Sequence, residues 1–183
     1  MIAGTARGRR LVAPEGDQVR PTKDIARESV FNALDARGML EDAVVLDLYA
    51  GTGALAIEAM SRGAASAVVV ERDRAALQAI RANLEVLGPG AHVDVVPRDV
   101  ARFVAGGPPA DQPFDLVFVD PPYNTPDEEI TGLLAALTAP GWLAPDAVVS
   151  VERPHRNPVV APPGLSTGWE RTFGDSLFTF LFL

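Results

Sequence analysis

The sequence predicts an α/β fold: a mostly parallel, seven-stranded sheet with helices on both faces and an antiparallel hairpin at its C-terminal end. Three observations lead there. From Val44 onward, short apolar runs alternate with segments of helical periodicity, which implies right-handed crossovers between parallel strands. The run from Phe114 to Val119 is apolar, β-branched and aromatic, and reads as a buried strand. Near the end, two aromatic-rich runs flank Gly174-Asp175-Ser176, a turn that joins antiparallel strands.

Taken in order, Met1 to Val12 is punctuated by Gly4 and Gly8 and closes on Arg9-Arg10-Leu11-Val12; a small N-terminal β-hairpin extension is expected there. A polar link around Pro14-Glu15-Gly16-Asp17 follows. Thr22 is then the expected N-cap of a leading helix in which Ile25, Ser29, Val30, Phe31 and Leu34 recur at helical spacing up to Gly38. Strands are expected at Val44 to Tyr49, Ala67 to Glu71, His92 to Val96, Phe114 to Val119, Ala147 to Glu152, Trp169 to Phe173 and Leu177 to Phe182. Helices are expected at Ala54 to Arg62, Arg74 to Leu87, Val100 to Val104 and Asp127 to Leu137. The Pro-rich stretch from Arg153 to Gly168 connects the last crossover to the hairpin. These pieces make one domain: an arm over 1–19, the leading helix over 20–38 and the core over 44–183.

A chain of 183 residues fits a single core that buries roughly 70% of the unfolded surface. No apolar run reaches the roughly 18 residues of a membrane span, and no apolar h-region marks a secretory signal, so a cytoplasmic location away from membranes is the default expectation. The absence of cysteine excludes disulfides, thiolate metal sites and a cysteine nucleophile. The net charge of −8 and pI near 4.7 are unlike a general nucleic-acid coat protein. The charge is unevenly spread, however. Residues 1–27 carry six basic side chains (Arg7, Arg9, Arg10, Arg20, Lys23, Arg27) against three acidic ones, leaving this segment at +3 and the remainder at −11. Such asymmetry is an electrostatic footprint at one end.

The residues that carry chemistry follow the strands. Asp120-Pro121-Pro122-Tyr123 stops its strand, because proline donates no ladder hydrogen bond and restricts the residue before it. The stiff turn gathers a carboxylate, a carbonyl without a ladder partner and a phenol ring, which suits gripping a planar base by its exocyclic amine. Upstream, Asp47-Leu48-Tyr49-Ala50-Gly51-Thr52-Gly53 runs from strand through a glycine turn into a helix. Gly51 and Gly53 let a ligand approach the backbone, and the helical amides beyond offer donors. The carboxylate of Asp47 would repel a pyrophosphate but attract an ammonium or sulfonium group. Glu71, about twenty residues past the glycines, is placed for ribose hydroxyls. Asp99 follows the third strand and is either a contact to adenine or only the N-cap of the next helix. Three acids at the carboxyl ends of three successive strands coincide with the edge where open α/β sheets bind ligands.

This arrangement resembles the Rossmann-like class I methyltransferases that use S-adenosylmethionine. More narrowly, Arg20-Pro21-Thr22-Lys23-Asp24-Ile25-Ala26-Arg27-Glu28-Ser29-Val30-Phe31-Asn32 resembles the signature of the bacterial 16S rRNA guanine-N2 methyltransferase family. Gly4, Gly8, Arg9 or Arg10, and Leu11 resemble its N-terminal hairpin, although Met1 stands directly before Ile2 where members carry an arginine. The resemblance covers nearly the whole chain. It implies S-adenosylmethionine as cofactor, without a metal, held by Asp47, Tyr49, Gly51, Thr52, Gly53, Glu71, Arg72, Asp99 and Val100. It implies catalysis at Asp120, Pro121, Pro122 and Tyr123, and RNA binding by Arg7, Arg9, Arg10, Arg20, Lys23 and Arg27. The implied partner is 16S rRNA within the small ribosomal subunit or an assembly intermediate, met by a monomer.

Rival readings are a DNA adenine-N6 methyltransferase, which shares Asp-Pro-Pro-Tyr but needs a recognition domain, and a non-catalytic RNA-binding or ribosome-assembly module, which has no use for Asp47, Glu71 and Asp120 together. His92 and His155 are isolated and read as structural. Phe173, Phe178, Phe180 and Phe182 read as edge-strand core. Arg153 and Arg156 are within reach of phosphate but read first as surface-loop residues.

Overall fold

The computed structural model describes residues 1–13, 21–109 and 113–183, with the side chains of 21–24 left aside. Helix α1 (Pro21–Asp35) precedes β1 (Val44–Leu48), α2 (Ala54–Ser61), β2 (Ser66–Glu71), α3 (Arg74–Leu84), β3 (His92–Pro97), α4 (Val100–Ala105), β4 (Phe114–Val119), α5 (Asp127–Leu137), β5 (Leu143–Pro154), β6 (Ser166–Phe173) and β7 (Ser176–Phe182). The strands form one seven-stranded sheet in the order β3-β2-β1-β4-β5-β7-β6. Strands β1 to β5 pair in parallel, and β7 joins β5 and β6 antiparallel. This is the mostly parallel, seven-stranded sheet with a C-terminal antiparallel hairpin that the alternation and the Gly174 turn predicted. Among the described residues no helix is long and apolar enough to cross a membrane.

Strand geometry sends successive side chains to opposite faces, and β1 shows the consequence. Val45 packs with Phe31 and Leu34 of α1, Ala56 and Ala59 of α2, and Ile80 of α3. Leu46 and Leu48 pack on the other face with Phe103 of α4 and Leu134 and Leu137 of α5. Apolar side chains therefore occur on both sides of the strand because both faces of the sheet are covered. On β7, Phe178 and Phe180 are buried in the first cluster, and Phe173 and Phe182 lie at its margin. Trp169 of β6 stacks on Phe180 at 4.5 Å between ring centroids, and Arg37 caps the outer face of that indole at 4.1 Å.

Two local expectations are corrected. Helix α1 begins at Pro21, so Thr22 lies inside its first turn and is not the cap; proline tolerates that first position because its missing N–H would lack a helical partner anyway. The arm is the larger correction. No strand forms over residues 1–13, and the expected β-hairpin is replaced by turns clasped to the end of α2. Glu58 accepts from Ile2 N at 2.9 Å and Ala3 N at 3.0 Å. Ser61 Oγ donates to Ala3 O at 2.6 Å and accepts from Ala6 N at 2.9 Å, while Thr5 N donates to Ser61 O. The arm's backbone groups are thus satisfied by side chains and a helix terminus, not by a second strand. Gly4 makes the approach possible: its φ is +73°, and a Cβ there would stand 1.6 Å from Ser61 O.

Glu58 is fully buried and also pairs with the buried Arg62 side chain at 2.8 Å. Among the described residues, removing Glu58 leaves the buried Arg62 with only the longer, exposed Asp35 pair at 3.6 Å, at a cost of about 3 kcal/mol. Glu58→Ala is therefore expected to lower the melting temperature by roughly 6–12 °C, at 2–4 °C per kcal/mol for a chain of this size. A fall of less than about 2 °C in thermal denaturation would show that the clasp does not hold the arm.

Candidate active site

The parallel register brings the ends of four strands to one edge. Leu48 is level with Val70 of β2 and with Val119 of β4, so the chain leaving β1 passes between Glu71 and Asp120. Asp120 N reaches Leu48 O at 3.4 Å, which pins the Pro121-Pro122 turn against the glycine loop. Tyr49 and Gly51 have φ of 61° and 57°. Left-handed geometry at a tyrosine is strained, and it turns the phenol outward to donate to Glu129 Oε1 at 3.2 Å. Burial and the Glu129 charge both hold the Tyr49 phenol well above its ordinary value.

Glu71 organises the loop. Its Oε1 accepts from Arg72 N at 2.6 Å and Asp73 N at 2.8 Å, and its Oε2 accepts from Gly51 N at 2.8 Å. Carboxylate oxygens have two lone pairs each, so Oε2 retains capacity for a ligand hydroxyl. Asp99 Oδ1 accepts from Arg102 N at 3.2 Å, making it the N-cap of α4. Its Oδ2 pairs with Arg72 at 2.8 Å. Asp99 thus caps α4 and also lines the cleft described below, with Val100 buried after it.

Asp47 is fully buried. Its Oδ2 accepts from Ala56 N at 3.0 Å, and its Oδ1 is buried without a partner among the described residues. Burial pushes its carboxyl up to about 7; the Ala56 amide opposes this, and the nearby Glu71 charge adds to it. A buried orphan acceptor under a glycine turn fits a positively charged ligand lying above it. At Gly51 a Cβ would meet nothing within 4 Å, so the backbone there faces open cleft. The residues present thus suit a cationic, ribose-bearing cofactor better than a pyrophosphate.

Two clefts of about 730 and 660 Å³ meet at this edge and share Tyr49, Gly51, Asp120, Tyr123 and Glu152. The smaller is lined by Glu71, Arg72, Asp99, Val100 and Pro121 to Pro126. The larger opens between Thr52, the arm at Arg9 and Arg10, Arg27 of α1, and the β6–β7 turn. Arg9, Arg10 and Arg27 thus converge on one mouth. Arg7 is exposed outside that lining, and Arg20 and the Lys23 side chain lie outside the described residues.

Ser176, Glu152 and Asn83 were not singled out from sequence. Tyr123, 53% exposed, meets Ser176 Oγ at 3.0 Å, and Ser176 donates to Glu152 Oε1 at 2.7 Å. Asn83 ties the arm to the glycine loop: it accepts from Val12 N at 2.6 Å and donates to Val12 O and Thr52 O. Arg153 is corrected. Its side chain is 3% exposed and ion-paired with Asp127, and it donates to Thr125 O at 2.8 Å; it is thus a buried anchor for the segment after Tyr123, not a surface-loop residue. A signal for Glu152 was present in sequence: it closes the expected strand Ala147 to Glu152, as Asp120 follows the neighbouring one, although β5 runs on to Pro154.

Fold and edge together define a class I methyltransferase. The profile of the family described as conserved hypothetical protein 95 matches residues 1–182, and the chain belongs to that family. It is 39% identical to ribosomal RNA small subunit methyltransferase D of Escherichia coli, over 89% of this chain and 78% of that protein. It is 32% identical to the protein of the same name from Haemophilus influenzae, over 95% and 88%. The solved structure of Escherichia coli yhhF superposes with a TM-score of 0.83 at 36% identity, covering 100% of this chain and 96% of that one. Magnesium protoporphyrin IX methyltransferase from Synechocystis, solved with bound SAM, shares the fold at a TM-score of 0.67 and 20% identity, over 90% and 85%.

The raised Asp47 value has a direction in stability. Between about pH 4 and 7 the folded protein keeps a proton that the unfolded chain has lost, so this residue's contribution falls as pH rises through that window, by on the order of a few kcal/mol. Asp47→Asn is expected to remove that component. The melting-temperature difference, variant minus wild type, should grow from pH 5 to pH 8. Parallel pH profiles would exclude Asp47 as the titrating group.

Proposed function

We propose that this protein transfers a methyl group from S-adenosylmethionine to the exocyclic N2 amine of a guanine in 16S rRNA of the small ribosomal subunit. The observation that carries the reading is Asp120-Pro121-Pro122-Tyr123 at the junction of the two clefts. Kinship with rRNA small subunit methyltransferases supports the substrate class, and the family resemblance supplies the guanine.

The cofactor, when bound, supplies a methyl on a positively charged sulfur that is already electrophilic. What remains for the chain is positioning. Asp47 and the Gly51 to Gly53 backbone would hold the charged end, Glu71 the ribose, and Asp99 with Val100 the adenine side. Guanine N2 is a weak nucleophile because its lone pair is delocalised. The Asp120 carboxylate and the Pro121 carbonyl accept the N2 hydrogens and so turn that lone pair toward the smaller cleft. Tyr123 offers its exposed ring for stacking, worth roughly 1–3 kcal/mol. A base reaches this depth only when unpaired or flipped. Its departing proton passes to Asp120 or to water. Arg9, Arg10 and Arg27 at the larger mouth, with Arg7 beside them, meet the RNA backbone.

The deciding experiment is transfer of labelled methyl from S-adenosylmethionine to naked 16S rRNA and to small subunits lacking the modification, followed by mass identification of the nucleoside. N2-methylguanosine is expected, and methylated adenosine in its place would replace the reading. Asp120→Ala should lower turnover by more than about 100-fold while cofactor affinity stays within a few-fold; near-normal turnover would remove Asp120 from the mechanism. Neutralising Arg7, Arg9 and Arg10 together should reduce the slope of log affinity against log salt by about 2, at roughly 0.7 per phosphate contact on single strands. An unchanged slope would make them ordinary surface charges.

A further inference from the structure

An aspartate, a carbonyl and a ring grip an amine, but they do not say which base carries it. Adenine N6 and cytosine N4 each lie beside a ring nitrogen that accepts hydrogen bonds. Guanine N2 lies beside N1–H, a donor. A second acceptor next to the amine-binding carboxylate is therefore complementary to guanine and opposed to the other two.

We propose that Glu152 is that acceptor: it takes the N1–H of the guanine whose N2 amine lies against Asp120, and so sets base specificity. The assignment rests on the guanine-N2 reading above. Strands β4 and β5 are parallel neighbours with Val119 level with Val151, so Asp120 and Glu152 are the next residues on adjacent chains, whose spacing is about 4.8 Å. Both line both clefts. Glu152 is also held. Ser176 Oγ donates to Oε1 at 2.7 Å, and since that hydroxyl hydrogen is used, the 3.0 Å contact with Tyr123 runs from the phenol to Ser176. Among the described residues Oε2 makes no hydrogen bond. One chain of hydrogen bonds thus ties the ring that stacks on the base to the carboxylate that meets its edge. Guanine's amine and N1–H supply three hydrogens, which match the acceptors of Asp120, Pro121 and Glu152 at this edge.

The test uses 2-aminopurine, which keeps the 2-amine but presents N1 as an acceptor. Once the modified guanine has been mapped, RNA carrying 2-aminopurine at that position is compared with the guanine form. Wild type is expected to prefer guanine by more than about 100-fold in kcat/KM, as sites built to meet a donor do. In Glu152→Gln the side-chain amide can face either base, and the preference should narrow at least about tenfold with KM for S-adenosylmethionine unchanged. Glu152→Asp, which draws the charge back by one methylene, should narrow the same ratio and serves if the first variant does not fold. A wild-type preference near one, or a preference unchanged in a folded variant, overturns the assignment. Wild type that makes no N2-methylguanosine removes the guanine reading itself, and with it this role, before any variant is made.

Discussion

Parallel pairing of β1 with both β2 and β4 is the constraint on which the rest depends. Because Leu48 is level with Val70 on one side and Val119 on the other, three chains leave the sheet at one height. Each then turns for its own local reason: glycines after β1, an aspartate cap after β2, two prolines after β4. The hydrogen bonds that join them, Gly51 N to Glu71 and Asp120 N to Leu48 O, cross between strands. A slip of one residue in either pairing would send Asp47 to the opposite face and break both.

The acids at that edge have unequal surroundings, and this divides their work. Glu71 is half-buried and held still by three backbone amides, with Oε2 left room for a ligand hydroxyl. Asp47 is sealed beneath the loop with one oxygen unsatisfied, a cost that a cationic ligand above it would offset. Tyr49 in left-handed geometry adds strain at the same place. Unfavourable features gathered at one edge of an otherwise well-packed sheet are characteristic of a site organised for binding.

The arm belongs to the same architecture. Glu58 and Ser61 fasten it to α2, and Asn83 joins Val12 to the carbonyl of Thr52. Arg9 and Arg10 therefore stand at the mouth of the larger cleft, because α2 begins where the glycine loop ends. On the far side, the β6–β7 turn brings Ser176 to Tyr123, and Arg153 anchors Thr125 and Asp127. The Asp-Pro-Pro-Tyr turn is braced from the strand that follows it.

Much of this was legible in the chain alone. Strand runs, glycine stops and the two prolines act through neighbouring residues, so the alternation, the hairpin and the positions of Asp47, Glu71 and Asp120 could be read directly. The arm was misread because its hydrogen-bond partners, Glu58 and Ser61, lie more than fifty residues away, and hairpin-like glycines serve equally in a clasp. Arg153 could not be assigned because its partners, Thr125 and Asp127 at the start of α5, lie more than twenty-five residues away. Glu152 and Ser176 meet only through the antiparallel register of β5 and β7. Local backbone chemistry determined where the chain turns; only tertiary packing decided which side chains from distant segments face one another across the cleft.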